Sequence, residues 1–336
     1  MPTRDPGHEA APGADELPPL LDHKAHGERS VFTAASLLRE ARRQRQLPEV
    51  VVPAVCILDP DSDLARYVQG NGDASKDPAW AFYHTTLHRF KLANREVGVI
   101  PFTVGAPFAV LVAEELMASG CKLLINLTSA GRIAAPAGVA SFVVIERALR
   151  DEGTSLHYLP PARWSNLRAD LLDAVANLHV PDAPPVLHGS TWTTDAPFRE
   201  TAQDVERHRA AGVLGVEMEA AALYAFAEAT GHNVLCLARL TNELGGEGDF
   251  EKGAADGAED ALRVLEAVLR RLDDRSSREA SYWRGDQRTG ATGLEPATFG
   301  FGDRRRFIQR NRQRVRPAPI PAPTGLCVPV AGGREP

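Results

Sequence analysis

Five short stretches hold the residues best suited to chemistry. VEMEAAALYAFA places Glu217, Met218 and Glu219 ahead of an alanine-rich apolar run. Glu219, Leu223 and Phe226 stand at i, i+4 and i+7, so one carboxylate shares the apolar face of a helix. Desolvating a carboxylate is costly, so a group that hydrogen-bonds it is expected nearby. The plainer alternative is that Glu217 and Glu219 only complement a helix N-terminal dipole, worth about 0.3–1 kcal/mol each. DPDSD sets Asp59, Asp61 and Asp63 at alternate positions, which suits either a solvated turn or a general base acting on water, with Asp63 the candidate. NLTSAG offers Asn126, the Ser129 hydroxyl and the backbone N–H groups of a small-residue loop through Ala130 and Gly131, a setting for an oxyanion. TTDAPFRE holds Pro197, the ring of Phe198 and the cation of Arg199, and LTNE holds Asn242, which both donates and accepts but cannot deliver a proton. An asparagine capping a strand-to-loop turn is the alternative there.

These stretches fall at the ends of apolar runs. VVVPAVCIL (50–58), REVGVIPFTVG (95–105), KLLINLTSAG (122–131), ASFVVIERAL (140–149), APPVLHGSTWTT (183–194) and NVLCLARLTNE (233–243) read as strands, several continuously apolar and so covered on both faces. Helices are expected at 29–46, 107–120, 166–179, from 220, and at 259–272. Strands alternating with helices predict an α/β fold: one domain, a three-layer sandwich around a mostly parallel mixed central sheet. In such sheets ligands sit where strands end in loops, and there the polar stretches lie. His84 and His88 in FYHTTLHRF stand four apart, the spacing of one helix face; no third metal ligand accompanies them, and a core or subunit-contact role is the expectation.

Composition narrows the function classes. The chain of 336 residues is 43% hydrophobic and 24% charged, ordinary for a globular protein, with no apolar run long enough to span a membrane. Its first residues lack the hydrophobic core of a secretion signal. Cys56, Cys121, Cys236 and Cys327 form no CxxC pair, so neither zinc nor a disulfide framework is expected, and a cytoplasmic protein without metal or cofactor is. P-loop, GxGxxG, HExxH and GxSxG motifs are absent. Residues 1–27 read as a disordered leader, 28–275 as the folded domain, and 276–336 as a disordered basic tail. That tail has 11 arginines and 5 acidic residues, net +6, which leaves −12 on residues 1–275 of a chain at −6 overall. An acidic body argues against nucleic acid as partner. The tail reads as a solvated extension or a nucleic-acid arm. Its GATGLEPAT also resembles an opposite-strand translation of a transfer-RNA gene, which would make it a frameshift or read-through product.

Over roughly residues 48–273 the sequence resembles the nucleoside phosphorylase superfamily, which includes uridine and purine nucleoside phosphorylases and the adenosylhomocysteine-type nucleosidases. VEMEAAALYAFA carries most of the resemblance, with GAPFAVLVAEEL, LINLTSAG, TTDAPF and LARLTNE in support. The resemblance implies cleavage of the N-glycosidic bond of a ribonucleoside or deoxyribonucleoside, with release of the free base, by a homo-oligomer; a catalytically silent nucleoside-binding protein on the same fold is the alternative. It implies ribose contacts from Glu217, Met218 and Glu219, a base site at Pro197, Phe198 and Arg199, Asn242 beside the base, and a phosphate or water pocket at Gly105, Asn126, Ser129, Ala130 and Gly131. Two departures bear on the nucleophile and the base. Asn126 stands where phosphorylases of the family keep an arginine, as in the nucleosidase pattern. Thr201 and Gln203 stand at the offsets of the uracil-selecting glutamine and arginine. Phosphate and water both remain open, with Arg66 and Arg132 the nearest cations to the two loops.

Overall fold

Five strands close on one another at the centre of the fold. β5 (Leu123–Arg132) pairs in parallel with β10 (Asn233–Glu243), which pairs antiparallel with β6 (Ser141–Asp151). β6 runs parallel to β8 (Val186–Thr194), β8 parallel to β9 (Gly215–Glu217), and β9 returns antiparallel to β5. From β5 the sheet continues outward through β1 (Val55–Asp59), β4 (Arg95–Pro101), β3 (His88–Leu92) and β2 (Ser75–Lys76), while β7 (Trp164–Asn166) pairs with β6. The computed structural model describes residues 18–22, 24–49, 51–136, 141–243 and 254–286; the side chains of 242, 243, 254 and 275–286 fall outside that description. The described residues through Trp283 make one compact unit.

Helices cover the sheet, as the alternation of apolar strands and helices requires. They are α1 (Ala34–Arg45), α2 (Asp63–Gly70), α3 (Ala106–Ala118), α4 (Ser155–Tyr158), α5 (Ala169–Val175), α6 (Ala202–Ala210), α7 (Ala220–Thr230) and α8 (Ala258–Asp286). α7 begins as a run of small residues, Ala220 to Ala222, and every residue from Ala220 to Ala227 is buried. Alanines let that helix approach the sheet closely, and its Tyr224 hydroxyl meets the backbone of β6 and β10. Gly231, at φ 76°, ends it in the left-handed conformation that costs glycine least.

β5 explains where a ligand can enter. On one flank it pairs with β1 as far as Asn126, and with β9 from Gly131 onward. Between those residues the chain changes neighbour, the topological arrangement that opens a crevice at the carboxyl ends of strands.

The expected α/β sandwich is therefore present, with two departures. FYHTTLHRF is not a helix: His84 lies in a bend and His88 opens β3, because threonines and alternating apolar residues favour the extended form. The last helix runs to Asp286, beyond the residue-276 boundary drawn from composition. Residues 1–17 and 287–336 lie outside the described residues.

Candidate active site

The carboxylate that opened the sequence analysis is held by backbone. Glu219 precedes α7, is 1% exposed, and its Oε1 accepts the Gly105 N–H at 2.7 Å. Gly105 itself sits at φ 88° before α3, a conformation that L side chains rarely adopt, so glycine there aims the N–H inward. Glu219 Oε2 is buried without a donor. The Thr128 hydroxyl lies beside Glu219, but it donates to Ser129 O at 3.1 Å. Burial first, and the Glu217 charge second, push the Glu219 carboxyl up to about 8.

Glu217 has a different fate. Its Oε1 accepts the hydroxyls of Thr191 (3.1 Å) and Thr193 (2.5 Å), and its Oε2 accepts the N–H groups of Glu219 (2.8 Å) and Ala220 (2.7 Å). Burial pushes its carboxyl up, but four donors favour its charged form, so Glu217 keeps the charge of the pair and Glu219 the proton. Glu217 thus braces the turn into α7, and Glu219 is the carboxyl with a vacant acceptor. Met218 between them is half-buried.

Further buried polar groups without partners sit at neighbouring strand ends. They are the Ser62 hydroxyl after β1, the Thr103 hydroxyl after β4, and both amide atoms of Asn126 on β5. Asn126 lies between Leu58 of β1 and Cys236 of β10, fully buried. Native interiors leave few such atoms unpaired, so each is a place where water or a bound polar molecule can complete the bonding. Ser129 is partly buried, Ala130 is buried, and Gly131 starts the pairing with β9.

The DPDSD loop closes the far side. Asp59 is buried and its Oδ2 accepts the Ala65 N–H at 2.8 Å, while its carbonyl ties down Ser62 N and Phe102 N, both at 3.0 Å. Asp63 pairs with Arg66. Asp61 stands close enough to Glu219 for its charge to add to the upward shift there. Between this loop, Thr128, Ser129 and Arg239 lies a cavity of about 30 Å³, room for a water molecule. Arg239 projects from β10 and donates to Asp256 O at 3.1 Å.

The remaining expected residues are spread out. Pro197–Arg199 form a single 3-10 turn in which Phe198 is 99% exposed and Arg199 is exposed. Asn242 lies on β10 where its register with β5 shifts between Leu240 and Glu243; its side chain is outside the described residues. The sequence reading missed Ser62, Thr103, Thr191, Thr193 and Arg239. Two signals were available: Thr191 and Thr193 alternate on one strand face, and an arginine interrupting the apolar run LCLARL demands a polar destination. Among the described residues no group of three or more His, Cys, Asp or Glu could hold a metal ion.

The family model of the phosphorylase superfamily matches residues 55–270. The chain is 30% identical over 237 residues to a uridine phosphorylase of Thermococcus kodakarensis, covering 60% of this chain and 83% of that protein. It is 27% identical over 174 residues to a guanosine phosphorylase of Halorubrum lacusprofundi, covering 49% and 72%. A solved uridine phosphorylase of Vibrio fischeri shares the fold, with a TM-score of 0.55 at 19% identity over 66% of this chain and 93% of that one. The chain belongs to the phosphorylase superfamily and is an enzyme of that family.

Proposed function

We propose that the chain cleaves the N-glycosidic bond of a ribonucleoside and releases the free base, with Glu219 holding the ribose hydroxyls. The observation that carries this reading is the buried Glu219 Oε2, left without a donor while Oε1 is fixed by Gly105. Fixed at one oxygen, the Glu219 carboxyl presents the other to a sugar hydroxyl, and once it has given up its proton that bond is charge-assisted and roughly twice as strong as a neutral one. As the C1′–N bond breaks, its electron pair leaves with the base and positive charge grows on the sugar. The single negative charge that the Glu217–Glu219 pair keeps beside the ribose stabilises that charge more in the transition state than in the ground state. Met218 packs on the sugar, Asn242 hydrogen-bonds the departing base, and the 197–199 turn closes over the base. The relatives named as uridine and guanosine phosphorylases support nucleosides as the substrate class. The catalytic body is residues 28–275. Exposed Phe102, Val104 and Leu111 near the start of α3 support a homo-oligomer. Among the described residues no helix is long and apolar enough to cross a membrane.

Incubation with a panel of nucleosides, with free base measured by chromatography, tests the reading. Release of base by the wild type and its loss in Glu219→Ala is the expected result. No release from any ribonucleoside, or full release by Glu219→Ala, overturns it.

A second reading for the nucleophile is favoured by the charges around the crevice. Asp59, Asp61, Asp63 and Asp256 line it with one cation, Arg239, and the unpartnered groups nearby, Ser62, Thr103 and Asn126, are neutral. Such surroundings suit water better than a phosphate dianion. Equal rates in phosphate-free buffer, with free ribose as product, are expected of hydrolysis; strict phosphate dependence with ribose 1-phosphate as product refutes it.

A further inference from the structure

β6 and β8 run side by side as far as the pair Asp151 and Thr194, where their ladder ends. One chain goes on through Glu152 and Gly153 into α4, the other through Asp195 into the turn Pro197–Arg199. Packing does not hold that turn, since none of its residues is buried and Phe198 is almost wholly exposed. Its own hydrogen bonds are local, from Ala196 N to Thr194 Oγ1 at 3.1 Å and from Arg199 N to Ala196 O at 2.8 Å. A lone 3-10 turn has poor hydrogen-bond geometry and fixes little by itself.

Side chains stitch the two strand ends together on either side of the last pair. Before it, Trp192 of β8, buried, donates its indole N–H to Asp151 Oδ2 at 2.9 Å. Beyond it, Asp195 Oδ2 accepts the Gly153 N–H at 2.8 Å. The Gly153 side of this second bond is firm. Glu152 is buried and accepts the Ser155 N–H at 2.9 Å, and Arg150 Nε donates to Ser155 Oγ at 2.8 Å. Asp195 is exposed, so replacing it removes the anchor without opening the core.

β8 thus serves both halves of the site. Thr193 holds Glu217 at 2.5 Å, and Asp195 fixes the direction in which the chain leaves the strand for the turn. We propose that Asp195 is a positioning residue for the nucleoside base, hooking the 197–199 turn to the start of α4 in a fixed place relative to the carboxyl pair at the ribose. The inference rests on the reading of that turn as the base side of the crevice. A base that meets a turn already in place binds without paying to order it. Loss of the hook weakens ground state and transition state alike, so it appears in KM rather than in kcat.

Hydrogen exchange on the substrate-free full chain, joined to steady-state kinetics with uridine and guanosine, tests the proposal. In Asp195→Ala the amides of residues 196–199 are expected to exchange at least about fivefold faster. The same variant is expected to raise KM at least about fivefold with kcat within about twofold of the wild type. Asp195→Asn keeps an acceptor for the Gly153 N–H and is expected to return both readouts to within about twofold of the wild type. Unchanged exchange in Asp195→Ala, a fall in kcat with KM unmoved, or an Asp195→Asn as impaired as Asp195→Ala overturns the role of Asp195 alone. No base release by the wild type from either nucleoside overturns it together with the reading of the turn.

Discussion

The Gly105 amide nitrogen lies 2.7 Å from Glu219 Oε1, joining the loop before α3 to the residue before α7 across 114 positions of sequence. Both helices begin at this contact, so two helix N-termini and one carboxyl share a single junction. The positive ends of the helix dipoles favour charge on that carboxyl, while burial and the Glu217 charge oppose it.

Opposition prevails at Glu219, whose carboxyl is pushed up to about 8, and this makes stability depend on pH. Between the ordinary carboxyl range and about pH 8, the folded chain keeps a proton that the unfolded chain has released. Stability therefore falls as pH rises through that window. Glu219→Gln, which keeps the acceptor for Gly105, is expected to raise the urea midpoint at pH 8 and leave it unchanged near pH 4. The same variant is expected to lose at least about tenfold in base release above pH 8, where the wild-type carboxyl is charged and the amide is not. A wild-type midpoint that is flat from pH 5 to 8 would contradict the shift.

Thr193 bridges two buried groups, donating to Glu217 and accepting the Ala221 N–H at 3.0 Å. Thr193→Val keeps the shape and removes both bonds, which leaves a buried N–H and half of a carboxylate unsatisfied. The expected cost is about 1–3 kcal/mol by urea denaturation. A change under about 0.5 kcal/mol would mean that water or Thr191 takes over both roles.

Asp61 and Asp63 separate by pH profile. The Asp61 charge contributes to holding Glu219 up, so Asp61→Asn is expected to shift the limb of the kcat/KM profile governed by Glu219 to lower pH. Asp63 is engaged with Arg66, and Asp63→Asn should leave that limb in place. A profile lost altogether in Asp63→Asn would instead assign Asp63 as the general base.

Gly257, at φ 75°, gives its missing side chain's space to Arg239: an added Cβ would lie 0.5 Å from Arg239 Nη1. Gly257→Ala must expel the guanidinium or strain the backbone, at a cost of about 1–3 kcal/mol. Arg239→Ala should relieve part of that cost, so the double variant is expected to be less destabilised than the single effects added together. Strict additivity would show that Arg239 is not held there.

Much of the fold was legible because apolar periodicity is local. The apolar run at 55–59 reads as a strand covered on both faces and the small residues from Ala220 as a closely packed helix, whereas NLTSAG, read as a small-residue loop, continues β5 to Arg132 because both of its edges find strand partners. Strand β3 was not legible, since FYHTTLHRF satisfies helical spacing as well as strand alternation, and only pairing with β4 and β2 selects the extended form. The return of β9 onto β5, which closes the five strands, depends on two pairs of residues some 85 positions apart and leaves no mark on either segment.

The sequence by itself determined that the Glu219 carboxyl would be buried and would need a partner, because apolar spacing and desolvation cost are properties of the residues themselves, although Glu219 caps α7 rather than standing on its apolar face. Which glutamate would be braced and which left with a vacant oxygen was decided only in three dimensions. Thr191 and Thr193 reach Glu217 because β8 runs beside β9, and Gly105 reaches Glu219 because β4 delivers its loop to the end of β5's crevice. Hydrogen bonds act over about 3 Å, so their partners are set by which strands become neighbours, and that choice is made by the whole sheet rather than by any one stretch of chain.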